Sequence, residues 1–159
     1  MFAVDLHAHT RFFHGFPGRP TRFDPVGADL LARCGRWRGL DGVALTNHDY
    51  YRAFDAGPDG LVFVPGVEVT TTDGHVLVIG PEPPSRTPPG EITPQETVSM
   101  AHEANCVAVL AHPFRGRDPR EVEADFDAVE INGKHPRTAD RVRRLAERLA
   151  LPVVGGSDA

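Results

Sequence analysis

The sequence predicts an α/β fold in which strands of a parallel sheet alternate with helices. Short apolar runs alternate with longer segments of helical periodicity along most of the 159 residues. Glycine and proline mark the connections between these segments. Histidines and acidic residues directly follow the apolar runs, and in parallel α/β folds the ends of strands form the functional site. We therefore predict one domain, 1–159, with a site at the carboxyl ends of its strands.

Strands and helices are predicted from the apolar runs and the helical periodicity, respectively. The predicted strands are Phe2–Leu6, Val43–Thr46, Leu61–Val69, His75–Ile79, Val107–Ala111, Ala128–Ile131 and Val153–Val154. The predicted helices are Pro25–Arg38, Pro94–Asn105, Pro119–Asp125 and Thr138–Ala150. This alternation of strand and helix favours parallel pairing, because each helix carries the chain back to the start of the next strand.

The starts of the first two long helices carry capping signals. Asp24 is the expected N-cap before Pro25, and Thr93 before Pro94 repeats the same device. Proline is tolerated at the first helical position because its missing N–H would have had no partner there. In the first helix, an apolar face is predicted from Leu30, Leu31 and Cys34; in the last, it is predicted from Val142, Leu145, Ala146 and Leu149.

A proline-rich segment separates the fourth predicted strand from the second long helix. Pro81–Gly90 contains five prolines in ten residues, which excludes a helix or a central strand. We predict an exposed loop there, and a linker is the alternative.

Composition indicates an ordinary globular domain. Hydrophobic residues make up 40% and charged residues 25% of the chain, and the net charge of −5 does not favour non-specific nucleic-acid binding. Cys34 and Cys106 have no metal-like spacing, so we predict two small buried residues in a reducing compartment. The chain shows no apolar stretch of about 18 residues and no signal peptide. We expect a cytoplasmic protein with no membrane contact and no stable nucleic-acid partner.

The clearest single motif is the pair of histidines that ends the first predicted strand. Alternate residues of a strand point to the same side, so His7 and His9 project together, with Asp5 one step before them. Two adjacent imidazoles can serve as ligands of one metal ion. Because the motif is short, a polar strand end without a ligand remains an alternative at this point.

Further histidines and acids follow the other predicted strands. The full set of metal-type residues is His7, His9, His14, His48, Asp49, Glu68, His75, His112 and Asp158. If the strands are parallel these side chains converge, and imidazoles with carboxylates suit Zn²⁺, Mn²⁺ or Fe²⁺. Their number exceeds the needs of one tetrahedral ion and suggests two or three divalent ions, whose chemistry is the hydrolysis of phosphate esters. The remaining histidines are expected to be structural (His102, on a helix) or undecided (His135, in a loop).

Taken together and in order, these motifs resemble the PHP domain (polymerase and histidinol phosphatase) family of metal-dependent phosphoesterases. The matching stretches are DLHAHT, LTNHD, GVEV, GHVLVIG, VLAHPF and GGSDA, and they cover nearly the whole chain. The resemblance implies a distorted (βα)₇ barrel with a di- or trinuclear metal site at the carboxyl ends of the strands. It also implies a metal-dependent phosphoric ester hydrolase.

The resemblance also assigns roles to single residues. It implies His7, His9, Glu68 and Asp158 as ligands of one ion, Glu68, His75 and His112 as ligands of a second, and His14 and His48 as ligands of a third. A hydroxide between two ions would attack phosphorus, so no side-chain base would be needed. Glu68, Asp158 and Asp49 are the candidate catalytic carboxylates.

The chain departs from the family pattern at two places. Asn47 stands where the family usually has an aspartate, and an uncharged amide can still orient a neighbouring ligand through hydrogen bonds. The chain also stops at Ala159, one residue before a histidine that would bind the third ion. We therefore expect a truncated barrel that lacks its C-terminal closing element, and two ions in preference to three.

The substrate is predicted from the cations near the site and from the compact size of the chain. Arg115 and Lys134 are candidates for binding a substrate phosphate, and solvated loop charges are the alternative. The resemblance favours a nucleotide or short oligonucleotide as substrate. A histidinol-phosphate-type phosphatase, a non-catalytic metal-binding module and a metal-dependent amide hydrolase remain alternatives.

Overall fold

A computed structural model describes residues 2–11, 19–57, 60–115, 119 and 122–159. Within these residues the chain forms seven strands and three α-helices. The strands are β1 Val4–Ala8, β2 Gly42–Leu45, β3 Val62–Thr71, β4 Gly74–Ile79, β5 Val107–Leu110, β6 Ala128–Asn132 and β7 Val153–Gly156. The helices are α1 Asp24–Trp37, α2 Pro94–Glu103 and α3 Ala139–Leu149, and a short 3₁₀ helix, Pro136–Thr138, precedes α3.

The strands form a single sheet in the order of the chain, β1 to β7. β1, β2 and β3 are parallel, and so are β5, β6 and β7, whereas β4 is antiparallel to both of its neighbours. The prediction of an all-parallel sheet is therefore wrong at β4. The reason is local: only Thr72 and Asp73 lie between β3 and β4, and a two-residue turn can join only antiparallel strands.

The sheet curls into a nearly closed barrel, because its last strand ends beside its first. Asp158 donates its backbone N–H to the carbonyl of His7 at 2.7 Å, and His9 donates to the carbonyl of Ala159 at 2.8 Å. The Ser157 N–H also bonds the Asp5 carboxylate at 2.9 Å. These bonds bring the residues after β7 against the first histidine motif, so residues from opposite ends of the sequence share one site.

Apolar side chains fill two layers, one on each face of the sheet. On β4, Val76 and Val78 pack outward with Val98 and Ala101 of α2, while Leu77 faces the barrel interior. Leu77 pairs with Glu68 across β3 and β4, so the Glu68 side chain also points into the barrel. Period-2 alternation therefore places an acidic residue at the centre of the fold.

Helix α1 buries mainly small residues, and of the apolar face predicted from Leu30, Leu31 and Cys34 only Leu31 packs against the core. Leu30 and Cys34 are exposed, whereas Gly27 and Ala28 face the sheet. The helix lies so close to β1 that a side-chain carbon at residue 27 would collide with the Thr10 carbonyl. The prediction that both cysteines are buried is thus confirmed for Cys106 and wrong for Cys34.

The capping predictions differ in outcome. Thr93 caps α2 as predicted, in a reciprocal pair with Glu96. Asp24 is instead the first residue of α1, and its carboxylate accepts hydrogen bonds from Thr21 and Tyr50. The prediction of Asp24 as the N-cap is therefore wrong, because its carboxylate oxygens accept hydrogen bonds from Thr21 and Tyr50 and none from the backbone N–H groups of the first helical turn.

The helix predicted at Pro119–Asp125 is wrong over residues 122–125. Residues 120 and 121 lie outside the described residues, and residues 122–126 are irregular. The Asp125 N–H bonds the side chain of Gln95, at the start of α2, so this backbone group is used in packing the connection against α2. Within the described residues no helix has the length and apolar character needed to cross a membrane.

Candidate metal centre

The predicted ligands converge inside the barrel at the carboxyl ends of the strands. Seven of them are described: His7 in β1, His9 after β1, His48 after β2, Glu68 in β3, His75 in β4, His112 after β5 and Asp158 after β7. The eighth, His14, lies outside the described residues. The parallel strands end at the same edge, which brings these side chains within contact of one another as the sequence predicts.

Glu68 is the centre of the cluster, and its side chain is 1% exposed. Its Oε1 atom lies 2.7 Å from His75 Nδ1 and 2.8 Å from His112 Nε2. Its Oε2 atom lies 3.2 Å from one nitrogen of each of three further imidazoles, those of His7, His9 and His48. One carboxylate therefore contacts five imidazoles, with different imidazoles at each oxygen.

Asp158 is the second carboxylate of the cluster, and it also contacts the rim. Its Oδ1 atom lies 3.3 Å from His9 Nε2 and 2.8 Å from Lys134 Nζ. Arg115 approaches the other oxygen at 3.7 Å. The two predicted phosphate-binding cations therefore lie next to the cluster, and both side chains are only partly covered, with exposures of 45% for Arg115 and 40% for Lys134.

The donor set fits divalent metal ions. The Glu68 Oε2 atom is buried and has no hydrogen bond to the described residues, although three imidazole nitrogens lie 3.2 Å away. Ligand atoms placed tetrahedrally at the usual zinc distances lie about 3.4 Å apart, so this spacing suits shared coordination better than hydrogen bonding. Three groups bring their ligand atoms within 4.8 Å of one another: His7, His9 and Glu68; His7, His112 and Asp158; and His48, Glu68 and His75.

The electrostatics keep both carboxylates ionised. Burial would raise the pKa of Glu68, but the close contacts of its oxygens with the imidazoles of His112, His7 and His75 hold that pKa well below its usual range. Burial likewise opposes the low pKa of Asp158, and His9 and Lys134 depress it. A buried pair of anions surrounded by imidazoles is the electrostatic environment that a divalent cation requires.

The pKa values of the His7 and His48 imidazoles are shifted in opposite directions. Burial disfavours protonation of His7, yet hydrogen bonds to Glu130 and Glu68 outweigh it and raise the pKa of His7 to about 10. Burial lowers the pKa of His48 to about 4; the positive charge of His9 adds to this effect, and Glu68 opposes it. A metal ion would displace the proton from His7 on binding.

Three of the six described non-glycine residues with a positive φ angle lie at the site. Asp49, His112 and Asp158 have φ angles of 58°, 26° and 56°, in the left-handed region that residues with side chains rarely adopt. Each such conformation costs about 1–3 kcal/mol and persists only when the surrounding structure holds it. All three follow strand ends.

Asp49, a candidate catalytic carboxylate, lies beside the cluster and is held by hydroxyl and backbone donors. Its carboxylate accepts from the Thr70 N–H and hydroxyl, both at 2.8 Å, and from the Thr87 hydroxyl at 3.1 Å. Burial raises the pKa of Asp49, and these hydrogen bonds oppose the rise. Because Thr87 belongs to the proline-rich segment Pro81–Gly90, Asp49 fastens that loop to β3.

Asn47 organises the backbone between two ligands. Its side-chain oxygen accepts from the N–H and the hydroxyl of Thr10, at 2.9 and 3.0 Å, directly after His9. Its own carbonyl accepts the N–H of Glu68 at 3.1 Å. These three bonds need only an amide oxygen and a backbone carbonyl as acceptors, so the uncharged asparagine suffices.

Two site residues on β6 are absent from the sequence prediction. Glu130 is fully buried and contacts His7 and His112, and Asn132 bonds Glu130 and Asp158. The available signal was a charged residue in the middle of an apolar strand, in Ala128–Asn132. Such a residue is buried only when it is paired.

No family model matches the chain, and no curated protein sequence matches it either. Solved structures do share its fold. PsfC from Pseudomonas syringae PB-5123 superposes with a TM-score of 0.73 at 22% identity, over 99% of this chain and 76% of that one. A two-domain protein from Bacteroides vulgatus, named as containing a predicted PHP-like metal-dependent phosphoesterase, has a TM-score of 0.64 at 17% identity, over 99% of this chain and 51% of that one.

A third structure with this fold is Endonuclease Q, solved in complex with a 27-mer duplex bearing an abasic lesion at the active site. It superposes with a TM-score of 0.63 at 19% identity, over 98% of this chain and 48% of that one. The chain thus spans about half the length of this protein and of the Bacteroides protein. The PHP-type barrel recognised from the six motifs is confirmed.

Proposed function

We propose that this protein is a metal-dependent phosphoesterase. The observation that carries the proposal is the contact of both Glu68 oxygens with five imidazoles in a buried site at the strand ends. Two or three ions of Mn, Zn or Fe would be held by His7, His9, His48, Glu68, His75, His112 and Asp158, with His14 as a further candidate. When bound, such ions polarise phosphoryl oxygens and lower the pKa of water.

The residues at the rim would orient the substrate. Lys134 and Arg115 each contact an oxygen of Asp158, so a phosphate that approaches the cluster meets two cations there. Asp158 lies between these cations and His9, and its low pKa keeps it ionised at neutral pH. Glu68 would share its two oxygens between ions, and Asp49 would hold His48 in place through its bonds to Thr70 and Thr87.

We infer that the substrate is a nucleotide or short oligonucleotide. The phosphoesterase and endonuclease names of proteins with this fold support a phosphorylated substrate. The partly exposed cations beside a buried metal cluster suit a small, charged molecule that enters from solvent. We propose the cytoplasm as the compartment. A histidinol-phosphate-type phosphatase is distinguished only by its substrate.

The test is phosphate release in the presence of Mn²⁺ from a nucleotide 3′,5′-bisphosphate, a 5′-phosphorylated RNA oligomer, histidinol phosphate and a phosphotyrosine peptide. We expect turnover of the first two, lost in His9→Ala. His102→Ala is the matched control, because His102 lies on α2 and pairs with Asp127 away from the cluster. Turnover of histidinol phosphate alone would overturn the substrate assignment, and metal binding without any turnover would indicate a non-catalytic module.

A further inference from the structure

β6 contributes no predicted metal ligand, yet its side chains contact ligand residues from three other parts of the chain. Glu130 lies at the middle of this strand and is 0% exposed. Its Oε1 atom is 2.8 Å from His7 Nδ1, and its Oε2 atom accepts the backbone N–H of His112 at 2.7 Å. One carboxylate therefore links the ends of β1 and β5.

Asn132 extends this link to the last ligand. Residues two apart on a strand share a face, so Asn132 follows Glu130 on the side that faces the cluster. Its amide nitrogen lies 3.4 and 3.3 Å from the two oxygens of Glu130 and donates to Asp158 Oδ2 at 3.2 Å. Its oxygen accepts the N–H of Lys134 at 2.9 Å.

The neighbouring strand leaves space for this carboxylate. A Cβ atom at Gly156 on β7 would collide with Glu130 Oε1 and with the Cβ of His7. A residue with a side chain at this position would push apart the pair that Glu130 and His7 form. Gly156 is thus part of the same arrangement, although its register partner across β6 and β7 is Asn132.

We propose that Glu130 is a positioning residue, which fixes the ring orientation and tautomer of His7 and the backbone position of His112 for metal binding. His7 Nδ1 donates to Glu130, which leaves Nε2 directed at Glu68 Oε2, 3.2 Å away. Histidine ligands commonly donate their second ring N–H to a carboxylate in this way. The inference rests on the metal site of the proposed function and is independent of which ester is hydrolysed.

Glutamine at residue 130 provides a selective test of the role. The His112 backbone N–H is a fixed donor, so the glutamine oxygen must face it, and the glutamine NH₂ must then face His7 Nδ1. Two donors cannot share a hydrogen bond, so neutral His7 would carry its proton on Nε2 and turn an N–H towards the ligand position. The shape of the side chain is unchanged, so the fold has no steric reason to fail.

The experiment is calorimetric titration of the metal-free protein with Zn²⁺ for wild type, Glu130→Gln and Asp24→Asn. Asp24→Asn is the matched control, because Asp24 is also fully buried and its carboxylate contacts Thr21, Tyr50, Arg11 and Arg52, none of which is a predicted metal ligand. We expect binding about 10- to 100-fold weaker in Glu130→Gln and unchanged in Asp24→Asn. Nitrogen-15 NMR of the zinc-loaded wild type should show the His7 proton on Nδ1.

Equal zinc affinity in wild type and Glu130→Gln, or a His7 proton on Nε2 in the zinc-loaded wild type, would overturn the inference. Circular dichroism checks that the variant folds. If Glu130→Gln does not fold, Glu130→Asp takes its place in the titration. The shorter side chain keeps the negative charge but withdraws the carboxylate from His7. A zinc affinity equal to that of wild type would again overturn the inference. Tight zinc binding without phosphate release would contradict the proposed function but not this inference.

Discussion

At the scale of single residues, Glu68 makes the contacts on which the site depends. It lies within 3.2 Å of five imidazoles, and the His7 imidazole among them is protonated at neutral pH in the metal-free protein because its pKa is about 10. Removing one partner of a buried ion pair leaves an uncompensated charge, which is more costly than replacing the whole pair.

We expect Glu68→Gln to abolish metal binding and to lower the free energy of unfolding of the metal-free protein by about 3–5 kcal/mol. The amide removes the negative charge that protonated His7 needs and leaves at most one acceptor for five imidazoles. Urea denaturation and metal titration measure the two effects. Glu123→Gln, at an exposed site outside the cluster, is the control; unchanged metal affinity in Glu68→Gln would contradict the central role of this carboxylate.

At the scale of elements, the contact of α1 with β1 positions the first histidine motif. Gly27 lies against the carbonyl of Thr10, the residue directly after His9. Small residues on α1 allow this approach, since any larger side chain would move the helix outward.

Gly27→Ala should lower the free energy of unfolding by about 1–3 kcal/mol, because overpacking forces the backbone to shift. The shift falls on the residue after His9, so metal affinity should decrease as well. Gly155→Ala is the matched control, since its added Cβ would meet no described atom within 4 Å. Thermal unfolding and metal titration of both variants check the prediction, and equal behaviour of the two would contradict it.

A second prediction at this scale concerns the cap of α2. The Thr93 hydroxyl accepts the Glu96 N–H, and the Glu96 carboxylate accepts the Thr93 N–H at 2.8 Å. Thr93→Ala should lower the free energy of unfolding by about 1 kcal/mol.

The same cap should be sensitive to pH. Hydrogen bonds from Thr93 lower the pKa of Glu96, so the folded state binds fewer protons there than the unfolded state. The contribution of Glu96 is therefore present above its unfolded pKa and is lost as the pH falls through the folded value. Glu96→Gln should reduce this part of the acid destabilisation in urea titrations at pH 3 to 7; an identical pH profile would contradict the prediction.

At the scale of the whole molecule, the proposed metal site joins most of the barrel. Its ligands come from β1, β3 and β4 and from the residues after β2, β5 and β7, so a bound ion would connect both ends of the sheet. Ligands that bind only the folded state stabilise it by mass action.

Metal removal should therefore lower the melting temperature. At a free metal concentration of about 100 Kd the stabilisation is about 2.7 kcal/mol, which corresponds to about 5–10 °C for a chain of this size. Differential scanning calorimetry with Mn²⁺ or Zn²⁺ and with a chelator measures the shift. His9→Ala should show a smaller shift, and a melting temperature that does not respond to metal would contradict the site.

Much of this organisation follows from local patterns in the sequence. The strands, α2 and α3 lie close to their predicted positions, because apolar periodicity and the Thr93 cap depend on neighbouring residues. His7 and His9 also share a site, as the strand period requires.

By itself, the sequence determined the chemistry of the site: imidazoles and carboxylates at the ends of apolar strands, in the order of a PHP-type barrel. Only the tertiary structure decided that small residues of α1 face the sheet and that Glu130 contacts His7 from 123 residues away. The physical reason is that periodicity and capping act over a few residues. The partner of a buried charge is instead chosen by how strands distant in sequence come together in space.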